Sequence, residues 1–209
     1  MMIRNVLAIA ALVPVLAGCF GAVAVGAGAG ALALADRRVS ETYLADEAIE
    51  IRAVNRINER LGDKIHVNAT SYNRMLLLTG EATSQAVKDE AEKLVREIPN
   101  VKAITNELVV GGISSFGNRS NDTYLTSKVK ARFVDHSRFA ANHVKVVSEA
   151  GAVYLLGLVT QAEADAAVDI ARTTGGVLKV VRVFEIIRPE EAKRIDNPNP
   201  APASAKPKT

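Results

Sequence analysis

Tryptophan is absent from this chain of 209 residues, and cysteine occurs once, at Cys19. One thiol cannot close an internal disulfide, so the fold is not a disulfide scaffold. Aromatic residues make up 4% against 48% apolar, so any core must be built from Val, Leu, Ile and Ala. Neither sign of charge dominates. The net charge of +3 falls short of the basic stripe of a nucleic-acid binder, and no nucleic-acid partner is expected. Catalytic constellations are missing too. In the stretch "GGISSFG" neither Ser has Gly both two residues before and two residues after it, so it is not a nucleophile elbow. His66, His136 and His143 are scattered without metal-ligand spacing and read as surface or loop residues. Asp89, Glu90, Glu92 and Glu97 alternate with Lys88, Lys93 and Arg96, as on a solvated helix face. No catalytic residue, metal site or enzymatic activity is expected.

What is present begins with an export signal. Arg4 supplies a positive n-region, Val6 to Leu16 an apolar h-region, and Ala17 and Gly18 the small residues before Cys19. The h-region is too short to span ~30 Å of hydrocarbon. The tetrapeptide "LAGC" (residues 16–19) resembles a bacterial lipobox. That resemblance implies cleavage before Cys19, a diacylglycerol thioether on its sulfur and an acyl chain on its new amine, with no other cofactor. More than one chain gives stable anchoring. Phe20 stands where an Asp would resemble an inner-membrane retention signal, which favours the outer membrane. Residues 5–35 carry no charge and are long enough to span, but Pro14 and five glycines between 18 and 30 make a poor helix. The Gly/Ala-rich stretch after Cys19 either lies against the membrane or forms a flexible tether.

The remainder is a repeat. Val67, Leu78 and Gly80 match Val144, Leu155 and Gly157 at a spacing of 77, and Val101, Ile104 and Leu108 match Val177, Val180 and Phe184 at 76. Two long units make tandem domains rather than a solenoid. In the first, Ile49, Ala53, Ile57 and Leu61 mark a helix over 46–61. Two β-rich runs, 64–71 and 75–80, are joined by "SYNR", followed by a helix over 84–98 capped by Ser84 and a strand over 101–110. The second copy repeats the order as helix 122–134, strands 143–148 and 152–158 joined by "SEAG", helix 162–173 and strand 177–187. Each copy is therefore α+β, α-β-β-α-β, with a small mixed three-stranded sheet covered by two helices. The expected organisation is a signal peptide (1–18), an acylated tether (19–45), the first domain (46–112), a linker (113–121), the second domain (122–188) and a disordered tail (189–209).

The segments "LLLTGEA" and "VKAITNELVV" in the first copy, and "HVKVV", "VYLLGLVTQAEADAAVDIA" and "GVLKVVRVFEII" in the second, resemble the BON domain. With the lipobox, "DRR" at 36–38 and "SNDTYLTSKVKARF" at 120–133, the chain resembles the dual BON-domain outer-membrane lipoproteins from Cys19 to Ile187. The resemblance implies a lipid-anchored protein on the periplasmic face of the outer membrane. It also implies binding to anionic phospholipid through the first helix of the second domain, in support of envelope integrity. A well-known relative has Trp at the position of Tyr124; Tyr also suits a membrane interface.

The residues of that helix bear on this reading. Lys128, Lys130 and Arg132 stand with no acid between Thr123 and Val134, whereas acids offset the bases in the first domain's opening helix. At ~100° per residue, Leu125, Val129 and Phe133 share one face, and Tyr124, Ser127, Lys128, Ala131 and Val134 share the opposite one. Lys130 and Arg132 flank the latter. Such a face serves an interfacial helix with snorkelling cations, or else an ordinary solvated surface with one Tyr; the resemblance implies the first. A protein-interaction adaptor for an envelope assembly or cell-wall division machine is the other function class.

Overall fold

In the computed structural model, which describes residues 36–112 and 116–197, each copy opens on a helix whose inward stripe is the one the spacing marks. Helix α1 (Ser40–Leu61) buries Ile49, Ala53 and Ile57. It packs on the antiparallel hairpin β1 (Ile65–Tyr72) and β2 (Met75–Ala82). Helix α2 (Gln85–Arg96) begins at Ser84, whose hydroxyl accepts from the Val87 N–H. Its crossover brings β3 (Ala103–Asn106) parallel to β2, and the short β4 (Val109–Val110) pairs with β2 farther on. The second copy follows with α3 (Phe116–Asp135), β5 (Lys145–Glu149), β6 (Ala152–Val159), α4 (Gln161–Arg172) and β7 (Lys179–Ile186). Its sheet order β5-β6-β7 has one antiparallel and one parallel pair. Thr160 and Glu163 close a capping box at the start of α4.

Two glycines set the hairpins' approach. A Cβ on Gly80 would lie 2.1 Å from the carbonyl oxygen of His66, and one on Gly157 2.4 Å from that of His143. The repeat needs glycine there because the chain at or just before the first hairpin strand passes so close, and Gly80 also has a φ of 115°.

Both faces of each sheet are buried, and this explains the unbroken apolar runs. On β2, Leu76 and Leu78 face the helices while Leu77 faces away; on β6, Val153 and Leu155 face the helices while Tyr154, Leu156 and Leu158 face away. The outward residues meet: Tyr72 and Leu77 of the first sheet share a core with Tyr154, Leu156, Leu158, Val183 and Ile187 of the second. The two domains thus pack sheet to sheet with their helices outside. Polar pairs seal the seam, among them Asn73 Nδ2 to Glu185 at 2.6 Å and Lys145 Nζ to Glu50 at 2.9 Å.

Several boundaries differ from the sequence expectation. Helix α1 starts at Ser40 and α3 at Phe116, so the ordered domains reach into the expected tether and linker. The third strand of the first copy divides into β3 and β4. The start of the expected disordered tail is instead helix α5 (Pro189–Asp196), which buries Ala192 against the inter-sheet core. His143, expected at the surface or in a loop, lies in the turn Ala141–His143 before β5 but is buried there.

Candidate functional site

Three sets of polar residues decide what each end of the molecule can do. The first is a pair of carboxylates that repeats with the fold. Asp46 on α1 accepts from the N–H groups of Asn73 and Arg74 at 2.8 and 2.7 Å, and Asp122 on α3 accepts from those of Ala150 and Gly151 at 2.9 and 3.0 Å. These turn residues have positive φ, 51° and 67° in the first hairpin, 49° and 77° in the second. The carboxylate bonds the amides that this left-handed backbone points inward.

The second is the segment Asp36-Arg37-Arg38. Arg37 is buried and uses all five guanidinium N–H groups. It is bidentate to Glu163 at 2.8 and 2.9 Å, bidentate to Asp196 at 2.9 Å, and donates to the Leu158 carbonyl. Arg38 instead binds the first domain: it pairs with Asp36 and Asp46 and stacks on the Tyr72 ring at 4.2 Å. Adjacent arginines therefore hold different domains. His143 lies beside this cluster, 3.6 Å from Glu163 Oε1 and 3.8 Å from Asp196 Oδ1, with no hydrogen bond to Nδ1. Burial and then the Arg37 charge push its pKa down. Burial raises Glu163, but hydrogen bonds from Arg37 and Thr160 outweigh it and bring its pKa to about 2.

The third is the outer face of α3. Leu125, Val129 and Phe133 are buried, and Tyr124 and Val134 are 64% and 73% exposed. Ser127, Lys130 and Ala131 are exposed alongside them. Lys128 is half-buried: its ammonium lies 5.3 Å from the Tyr124 ring centroid and donates to the Gly175 carbonyl. Arg132 behaves differently. It donates to the Ile170 carbonyl and the Thr174 hydroxyl, both at 2.8 Å, a cation at the C-terminal end of a helix. Arg56 makes the same contact to Leu94 in the first domain, with both partners displaced by 76. Arg132 is therefore committed to the scaffold, while Tyr124, Ser127, Lys128, Lys130, Ala131 and Val134 form one surface.

Sequence reasoning passed over Leu178. This residue is 83% exposed, more than any other large apolar residue among the described ones. The signal was available in the repeat, because its counterpart 76 residues earlier is Lys102. Cys19 lies outside the described residues. Among those residues no group of His, Cys, Asp or Glu could hold a metal ion, and no helix is long and apolar enough to cross a membrane.

A fold of two such units, with a lipobox before it, has relatives. The BON domain model matches residues 45–112 and 121–188. The chain is 40% identical over 174 residues to "Outer membrane lipoprotein DolP" of Haemophilus influenzae, covering 82% of this chain and 90% of that one. It is 32% identical to "21 kDa hemolysin" of Actinobacillus pleuropneumoniae, over 73% of this chain and 80% of that one. It is 30% identical to "Osmotically-inducible protein Y" of Escherichia coli, over 66% of this chain and 71% of that one. The chain belongs to the BON-domain family and, within it, to the dual BON-domain lipoproteins of the DolP type, lipid-anchored at the outer membrane.

Proposed function

We propose that this envelope-associated lipoprotein is a membrane-binding module and not an enzyme: the second BON domain docks on anionic phospholipid through the outer face of α3, on the periplasmic side, in support of envelope integrity. Cys19 carries the diacylglycerol and the N-acyl chain. The observation that carries the reading is the mixed character of the face. Tyr124 and Val134 project into solvent beside Lys128 and Lys130 with no acid from Thr123 to Val134, whereas the exposed Tyr43, Leu44 and Ile51 of α1 stand among Glu41 and Glu47. Each Lys near an anionic surface contributes roughly 1 kcal/mol, and the aromatic ring adds interfacial burial. Arg132 lends its charge to the local field from a fixed place on the scaffold.

Co-sedimentation of residues 36–209 with phosphatidylglycerol vesicles tests this. The native sequence pellets with these vesicles and not with phosphatidylcholine; Tyr124→Ala and Lys128→Glu each weaken binding about tenfold. A native chain that ignores phosphatidylglycerol, or two variants that bind unchanged, contradicts it. The adaptor reading then stands, with an envelope assembly or division protein as the partner.

A further inference from the structure

The two domains are copies of one fold, so each is an internal control for the other. At four positions the second copy places a larger or more apolar side chain at the surface than the first. Tyr124 replaces Ala48, Ala131 replaces Asn55, Val134 replaces Asn58, and Leu178 replaces Lys102, all at the same offset of 76. Four positions on the helix run the other way in sequence, with Arg119 for Tyr43, Ser120 for Leu44, Ser127 for Ile51 and Lys130 for Val54. Of the four gains, three lie on α3. The fourth does not: Leu178 closes the loop between α4 and β7.

That loop adjoins the α3 face. The Lys128 ammonium bridges from the Tyr124 ring to the Gly175 carbonyl. A Cβ on Gly176 would lie 3.6 Å from Leu125 Cδ1, an ordinary contact, so the loop runs directly beside the helix. Leu178 rests over Gly151, where a Cβ would come within 2.8 Å of its Cδ1, and its amide donates to the Gly151 carbonyl at 2.9 Å. The backbone thus holds the loop while the Leu178 side chain stays exposed. In the strand that follows, Val180 and Phe184 turn toward the helix-side core; Leu178 continues that column past its rim. The carboxylates that share a hollow with Leu178, Glu81, Asp122 and Glu149, are buried, the adjoining Lys179 is exposed and paired with Glu107 at 3.0 Å, and Lys128 is the cation that joins this loop to α3.

The geometry points to the α4–β7 loop as the second half of the docking surface, with Leu178 as a membrane anchor independent of α3. This rests on the phospholipid reading of α3 and extends it: an anionic bilayer is the occupant, and it meets an aromatic from the helix and an aliphatic from the loop. Two separated anchors fix the tilt of the domain on the membrane as well as its affinity.

The absence of tryptophan supplies the test. The chain as purified from the bacterial envelope is reconstituted in phosphatidylglycerol–phosphatidylethanolamine vesicles carrying brominated acyl chains. Leu178→Trp and Tyr124→Trp are compared, each variant holding a sole tryptophan. Both emissions shift to the blue and are quenched, and neither is with phosphatidylcholine. Leu178→Ser binds phosphatidylglycerol about threefold to tenfold more weakly with an unchanged circular dichroism spectrum. Quenching in the Tyr124→Trp chain but not in the Leu178→Trp chain overturns the loop anchor and leaves the α3 reading intact. Quenching in neither chain overturns both, and quenching in the Leu178→Trp chain alone overturns the α3 reading and with it the shared docking surface. If the Leu178→Trp emission is already blue-shifted before lipid is added, position 178 lies against a second copy of the chain and the loop anchor is overturned.

Discussion

His143 and Arg37 show how much a single side chain can alter the behaviour of this fold. Neutral His143 sits among Arg37, Glu163 and Asp196, and its pKa is depressed by burial and by the Arg37 charge. The unfolded chain therefore binds a proton near pH 6.5 that the folded chain still refuses. A depressed folded pKa gives stability that is fully present above the unfolded value and is lost as pH falls through the folded one. Glu163 and Asp196 have the same sign at lower pH. Their contribution is whole above the ordinary carboxylate range and fades toward the Glu163 value of about 2. Melting temperatures from pH 7.5 to 5 should fall more steeply for the native chain than for His143→Gln. Equal slopes across the whole range would contradict the assignment.

At the scale of elements, the strands and helices of both domains were legible because the repeat reported each one twice. Their second faces were not. "VYLLGLV" reads as a strand by length and composition, but only the structure shows that its alternate residues serve two cores, one intradomain and one between sheets. Helix α5 carried ordinary local signals: Pro189 at the N-terminus, Glu190 and Glu191 in the first turn, Lys193 and Arg194 in the last. It was missed because its apolar side is only Ala192 and Ile195, too little to declare itself until a partner surface is known. That partnership includes Arg37, which is 126 residues from Glu163 and 159 from Asp196. Arg37→Met should destabilise the fold by about 3 kcal/mol, because two carboxylates lose a buried cation. Ending the chain at Arg188 should also destabilise it. Urea titration of the double variant should show less than the sum of the two losses, since they share one interaction; strict additivity would dissolve the link.

Over the whole molecule, the division of labour follows from where the repeat is kept and where it is broken. Asp46 and Asp122, Arg56 and Arg132, Gly80 and Gly157 are kept, and each has a structural reason. Tyr124, Ala131, Val134 and Leu178 depart from Ala48, Asn55, Asn58 and Lys102 on the outer surface of the second domain. This also measures how much of the candidate site was readable in advance. Helical spacing placed Tyr124, Lys128, Ala131 and Val134 together because α3 is regular. It could not separate Lys128 from Arg132, since both are half-buried cations one turn apart and only their hydrogen-bond partners distinguish them. Nor could it bring Leu178 to the same surface, because that juxtaposition is made by the α4–β7 loop.

The phospholipid reading requires the second domain, and not the first, to face anionic lipid. Amide relaxation by a spin-labelled lipid in phosphatidylglycerol bicelles tests it most directly. Enhancement should peak along residues 124–134 of α3 and stay at background along α1, although α1 exposes Leu44 and Ile51. Enhancement along α1 equal to that along α3, or none in either helix, would contradict the account.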